Sequence, residues 1–303
     1  MYPWTVYPSY PDSNSVKLND AGGDLLVIAG IHGDEPGTWK GMIDFYRDYA
    51  DQLTKPVTFL FANPYAAQNQ TRFVQTDLNR NFGSGYNPKE SSFEMRLAGH
   101  LHTIIERFDV VVSLHSTQST NEPFALFGMP IKKSVLDVIR RVGISKAVLI
   151  KQENQRGSLV TYPNVIEFEC GKQHSETAKE NSKRIIRDAI ASIDGLEKEN
   201  NYPQNDVKIF EMKNPILKSG DGDFNIYVES LKNVLEGELV AESASKKLIA
   251  PKQFTPILMS ENGYDDILGY YGTELGWLSS GHISIDCNDS SLISSIEFIQ
   301  SSN

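Results

Sequence analysis

Two apolar runs rich in β-formers, DLLVIAGI (24–31) and PVTFLFAN (56–63), stand between turn residues, a pattern that predicts buried strands. Between them, PGTWKGMIDFYRDYADQL (36–53) carries Trp39, Met42, Ile43 and Tyr46 at helical spacing behind an early proline, which predicts an amphipathic helix. ESSFEMRLAGHLHTIIERF (90–108) repeats the pattern with Phe93, Leu97, Leu101, Ile104 and Ile105. FDVVVSLH (108–115), AVLIK (147–151) and NVIEFE (164–169) predict further strands, and SETAKENSKRIIRDAIASI (175–193) a closing helix. Alternation of strand and helix implies an α/β layer around a mostly parallel or mixed sheet. Beyond residue 206 the texture changes to short β-rich runs, DFNIYVES, PILMS and GHISID, separated by Gly, Asn and Asp, which predicts a smaller β domain.

Charge follows the same division. Residues 201–303 hold 7 basic and 15 acidic side chains, against 22 and 24 in residues 1–200, and the polar stretch GLEKENNYPQND (195–206) reads as a linker. The expected domains are therefore 1–200, α/β, and 201–303, β-rich. A net charge of −10 argues against a nucleic-acid partner. The longest strongly apolar stretch, LLVIAGI, is far short of the roughly 20 residues of a membrane helix. No Lys or Arg precedes Lys17 and no long apolar run opens the chain, so a secretory leader is not expected. Cys170 and Cys287 are too few for a disulfide framework or a Cys-rich zinc site. These features predict a soluble, cytoplasmic protein with no membrane partner.

The chemistry-bearing residues fall in four places. The first strand runs into GIHGDEPG, where His32 and Glu35 lie three apart in a glycine-rich turn and can converge on one metal ion. Alone, His-x-x-Glu is a common accident whose bland role is to cap the next helix. FDVVVSLHST then places His115 at the end of a second buried strand, and two His with one Glu and an open fourth position form a catalytic zinc set. The other histidines, 100, 102, 174 and 282, are assigned to surface or packing roles. TRFVQTDLNRNFG (71–83) offers Asn79 and Arg80, a neutral donor beside a planar fork suited to a carboxylate. NVIEFECGKQH (164–174) puts Glu167 and Glu169 on one face of a strand, where a buried carboxylate is costly unless paired or catalytic. Glu169, at the strand's end, is the better general base and Glu167 the reserve. Cys170 reads as a small buried hydrophobe.

The strings GIHGDEPG, FANPYA, TRFVQTDLNRNF, DVVVSLHSTQS and IEFECGKQH, in that order, resemble the succinylglutamate desuccinylase/aspartoacylase family within the zinc carboxypeptidase superfamily. The resemblance implies a carboxypeptidase-like α/β domain followed by a smaller β domain. By position it implies His32, Glu35 and His115 as ligands of one zinc ion, Glu169 as general base and later acid, and Asn79 and Arg80 as the clamp on the substrate's carboxylate. Arg156 stands near the place of a second family arginine, at looser spacing. One departure concerns the scissile carbonyl: aspartoacylases carry an Arg after NP, where this chain has Tyr65, so Arg72 or the zinc itself would hold the carbonyl. The implied activity is hydrolysis of the amide of an N-acyl amino acid. The NRNF ending leaves a metallocarboxypeptidase acting on short or cell-wall-type peptides as the alternative. A non-catalytic binding module that kept the fold is the alternative of another class.

Overall fold

The computed structural model describes residues 22–53, 56–83, 92–151, 154, 157–193, 206–218, 223–261 and 266–279, and the backbone alone at 4–6, 282–285 and 298–299. The strands are β1 (Trp4–Val6), β2 (Gly23–Ala29), β3 (Val57–Phe61), β4 (Phe108–Thr117), β5 (Phe124–Gly128), β6 (Ile131–Lys132), β7 (Lys146–Ile150) and β8 (Val165–Lys172). They continue as β9 (Val207–Leu217), β10 (Asn225–Ile226), β11 (Leu239–Glu242), β12 (Lys247–Ile249), β13 (Thr255–Ile257), β14 (Ile267–Ser279), β15 (His282–Ile285) and β16 (Phe298–Ile299). The helices are α1 (Pro36–Tyr49), α2 (Pro64–Asn69), α3 (Phe93–Ile105), α4 (Lys133–Arg141) and α5 (Glu176–Ile193).

One large mixed sheet organises the molecule, in the order β1-β3-β2-β4-β8-β5-β7-β9-β14-β13, with β15 on β14. From β1 to β8 neighbouring strands are parallel, and β5 then runs antiparallel to β8. β2 shows why its sequence is apolar without interruption. Leu25, Val27 and Ala29 enter the core beneath α1 and α5, while Leu26 and Ile28 enter a second core beneath α3. A strand covered on both faces has no polar side to alternate with. α1 begins at Pro36, whose ring suits the first helical turn, and buries Met42 and Phe45. α3 is capped by Ser92, whose Oγ accepts from the backbone N–H of Met95, and buries Leu97, Leu101, Ile104 and Ile105.

The fold is the expected α/β layer with additional C-terminal strands. Those strands divide among three sheets, the smallest being the parallel pair of β16 with β6. β9, β13, β14 and β15 extend the central sheet through parallel pairing of β9 with β7, whereas β10–β12 form a separate three-stranded sheet over a small core containing Phe224, Val240 and Met259. The predicted boundary at 200/201 lies outside the described residues. Among the described helices none is long and apolar enough to cross a membrane.

Candidate metal centre and its cleft

At the C-terminal ends of β2, β4 and β8, where open parallel sheets gather their ligand sites, the loops leave a cleft. His32 and Glu35 reach it from the turn after β2. That turn presses against the start of α2 so closely that a Cβ at Gly33 would lie 2.1 Å from the carbonyl carbon of Ala66, so only glycine fits. Glu35 occupies the N-cap position of α1, yet its side chain makes no cap hydrogen bond. Its carboxylate turns inward instead: Oε1 lies 2.7 Å from Nδ1 of His32, and Oε2 accepts from the N–H of Ser116 at 2.8 Å and lies 3.5 Å from Nδ1 of His115. The helix-capping alternative for this motif is thereby replaced by convergence on His115.

The three side chains His32, Glu35 and His115 are each 3% exposed, and one ligand atom from each lies within 4.8 Å of the others. Both imidazoles direct Nδ1 toward Glu35 and engage Nε2 elsewhere. His32 Nε2 lies 3.1 Å from Oδ1 of Asp77; His115 Nε2 lies 3.0 Å from Oγ of Ser113 and 3.6 Å from Oε1 of Glu167. A histidine whose far nitrogen is fixed by a carboxylate or hydroxyl has its tautomer and ring orientation set for metal ligation through the near one. Borderline-soft imidazole and hard carboxylate donors in a 2:1 ratio suit zinc. The residues present therefore fit the metal.

Without a metal the same groups perturb one another strongly. Burial alone would lower the His115 imidazole, but the carboxylates of Glu167 and Glu35 outweigh it and push it up to about 9. His32 is also raised: burial and Arg72 oppose its protonation, and Asp77 and Glu35 prevail. Glu35 and Asp77 are both held well below the usual carboxylate range. Burial would raise them, and the neighbouring histidines, with Arg72 and Arg80 for Asp77, overcome it.

Glu167 and Glu169 have different surroundings although they share a face of β8. Strand register sets Glu167 opposite Ser113 and Glu169 opposite His115. Glu167 accepts from Nδ2 of Asn79 at 2.8 Å, whereas Oε2 of Glu169 is buried with no hydrogen-bond partner. Burial chiefly, with Glu35 and Glu167 adding to it, pushes the Glu169 carboxyl up to about 7 against the pull of His115. Two further orphaned polar atoms, Oδ1 of Asp34 and Oγ of Ser116, belong to residues lining the same cleft. Buried polar atoms without partners mark places where a ligand or water completes the set.

The 71–80 loop forms one wall. Arg72 lines the cleft and donates from Nε and Nη2 to Oδ2 of Asp77, both at 3.0 Å. Asn79 uses both ends of its amide within the protein, donating to Glu167 and accepting from the N–H of Leu159 at 2.8 Å. Arg80 lines the cleft and donates to its neighbour's backbone carbonyl. The loop is held by Glu94, a fully buried carboxylate of α3. It accepts from the backbone N–H groups of Val74, Gln75 and Thr76 at 2.6, 3.1 and 3.1 Å, and from Nδ2 of Asn63 at 3.2 Å. Sequence reasoning passed over Glu94, because an acidic residue in a helix's first turn normally faces solvent. It also gave Asp77 no role, because the partner that defines it lies 45 positions away.

The remaining expectations fall elsewhere. Tyr65 is 37% exposed on α2 and packs edge-on against Phe93, away from the cleft. His100, His102 and His174 are exposed, and His102 pairs with the hydroxyl of Tyr162 at 2.9 Å. Cys170 is fully buried, its thiol pushed up to about 12 chiefly by burial, as befits a packing residue. Arg156, Cys287 and the side chain of His282 lie outside the described residues.

Comparison with known proteins places these residues in context. Residues 21–193 match the succinylglutamate desuccinylase/aspartoacylase catalytic domain. A succinylglutamate desuccinylase of Pseudomonas aeruginosa is 30% identical over 253 residues, 75% of this chain and 76% of that protein. Among solved structures, murine aminoacylase 3 superposes with a TM-score of 0.67 at 16% identity, covering 86% of this chain and 99% of that one. A product-bound ectoine utilization protein EutE from Ruegeria pomeroyi superposes with a TM-score of 0.65 at 16% identity, covering 84% and 85%. At such identities the two structures speak for the fold.

Proposed function

Since the chain belongs to the succinylglutamate desuccinylase/aspartoacylase family, a family of deacylase-type hydrolases, we propose that it is a zinc-dependent hydrolase of the amide bond in N-acyl amino acids. The observation that carries this reading is the convergence of His32, Glu35 and His115 on one point. Beside it lies the carboxyl of Glu169, one strand away, whose buried Oε2 has no hydrogen-bond partner.

His32 and His115, through Nδ1, and Glu35 would hold the ion. When bound, zinc acidifies a water to near-neutral pKa and polarises the scissile carbonyl. Glu169 Oε2 faces no protein donor, so it accepts the water's proton and passes it to the departing amine. Its tendency to hold a proton near neutrality suits it to both transfers. Ser113 and Asp77 stand at hydrogen-bond distance from the far nitrogens of His115 and His32, and Glu167, fixed by Asn79, lies 3.6 Å from that of His115. Arg80 supplies the guanidinium for the substrate's carboxylate. Arg72, committed to Asp77, acts by keeping that carboxylate against His32. The substrate is a small molecule, and the activity belongs in the cytoplasm.

The test is release of free amine from N-acyl amino acids and from peptides with a free C-terminus, with and without a chelator. Chelator-sensitive release from acyl amino acids is expected. Release from peptides alone would make the chain a carboxypeptidase, and failure to retain zinc would return it to the binding modules.

A further inference from the structure

The cleft does not end at the carboxylates. Leu126 of β5, Ile150 of β7, Met212 of β9, Tyr270 of β14 and Leu258 after β13 line it together with His115 and Glu169. β5, β7, β9 and β14 follow β8 one after another in the sheet. At about 4.8 Å per strand, the four steps from β8 to β14 carry the apolar floor on the order of 19 Å outward from β8. It starts beside the buried carboxylates, because Leu126 pairs with Glu167 in register. Leu126, Ile150, Met212 and Tyr270 belong to one packed core cluster, with Leu258 against its edge, so this floor is the open face of a rigid core.

The charges are distributed differently. Among the described residues, the Lys and Arg side chains lining the cleft are Arg72 and Arg80, both from the 71–80 loop. Arg72 is matched by Asp77, and Arg80 is the guanidinium assigned above to the substrate's carboxylate. A second substrate carboxylate directed along the sheet would meet Leu126, Ile150 and Met212, with Glu167 and Glu169 behind it; beside them Asn154 Nδ2 already donates to the Met212 carbonyl and Ser260 Oγ to Gln118 Oε1. Desolvating an unpaired carboxylate there is costly, whereas each methylene buried on the same surface strengthens binding about fourfold.

We infer that this arm of the cleft takes an uncharged aliphatic or aromatic substituent. The substrate then carries one carboxylate and one apolar group, on its acyl or its amine half, rather than two carboxylates. The inference rests on the deacylase reading and narrows it.

Matched pairs test it. N-hexanoylglycine is compared with N-succinylglycine for the acyl half, and N-acetylnorleucine with N-acetylglutamate for the amine half. The readouts are kcat/KM of the zinc-loaded enzyme and, separately, calorimetric affinity of metal-free protein for hexanoate, succinate, norleucine and glutamate. The apolar member of at least one pair should win by tenfold or more, and the winning pair identifies the half that lies in the arm. Met212→Lys should reduce or reverse that preference, and the wild-type measurements stand without it if the variant does not fold. Equal turnover within both pairs, or preference for the dicarboxylates, overturns the inference while leaving the deacylase reading intact. Tenfold tighter binding of apolar ligands without any hydrolysis sustains the inference and overturns the deacylase reading. Absence of both hydrolysis and apolar preference overturns the two together.

Discussion

Glu167 and Glu169 show how much a side chain's role depends on its immediate partners. They sit two positions apart on one strand face, yet one carboxylate is tied to Asn79 and the other has an oxygen with nothing to bond. Glu169→Gln keeps the shape and removes the base. It is expected to cut kcat by roughly 100-fold or more with zinc stoichiometry unchanged, measured by steady-state kinetics and metal analysis. Full activity in that variant would remove Glu169 from the mechanism. The histidines carry a second expectation. In metal-free protein His115 holds its proton up to about 9 against an ordinary 6.5, and Glu169 up to about 7 against 4.5. The folded state thus binds more protons than the unfolded chain between about pH 5 and 9, and stability falls as pH rises through that window. The His115 share is complete below 6.5 and gone above 9; the Glu169 cost accrues between 4.5 and 7. Glu35 and Asp77, held low, titrate beneath it. The Tm of chelated protein should therefore drop from pH 6 to pH 9, and added zinc should recover it, since the metal replaces the proton between the rings. A flat or rising Tm across that range would contradict the arrangement.

Helix α3 and the 71–80 loop meet through the buried carboxylate of Glu94, with the Phe93 N–H donating to Gln75 Oε1 and the cap Ser92 paired with Thr76 beside it. Glu94 collects three consecutive backbone N–H groups and one amide, and this fixes the loop that carries Arg72, Asp77, Asn79 and Arg80. Glu94→Gln replaces an acceptor oxygen with a donor that faces these N–H groups, so the loop must shift. The expected outcome is a KM several-fold higher for carboxylate-bearing substrates, a smaller change in kcat, and metal content close to one per chain. Glu94→Asp should restore part of the KM. A loss confined to thermal stability, with KM unchanged, would limit Glu94 to folding. Element prediction followed the strength of the pattern. α1, α3 and α5 and strands β2, β3, β4, β7 and β8 were legible because each combines a long period with clear boundaries. α2, α4 and β5 were not, because they are short and their apolar residues acquire meaning only against, respectively, the turn at Gly33, the core shared with α5, and strands β7 and β8.

Over the whole molecule, the sheet joins what the sequence divides. β9 pairs with β7, and one core cluster draws Leu126 and Val148 together with Phe210 and Tyr270. Segments that share a sheet and a core unfold together, so calorimetry should show one transition with a van't Hoff enthalpy equal to the calorimetric one. Two resolved transitions would establish two independent units. By itself, the sequence determined the α/β layer, the family, and the identities of the metal-binding and acid–base candidates. Strand-end motifs and apolar periods are local, and local chemistry can be read along a chain. Only the tertiary structure decided which nitrogen of each histidine faces Glu35 and which glutamate stays unpartnered. It alone brought Glu94 beneath the loop, and it alone revealed the apolar arm running from β8 to β14. Each of these depends on contacts between residues far apart in the chain, whose distances are set by sheet order and register rather than by spacing in the sequence.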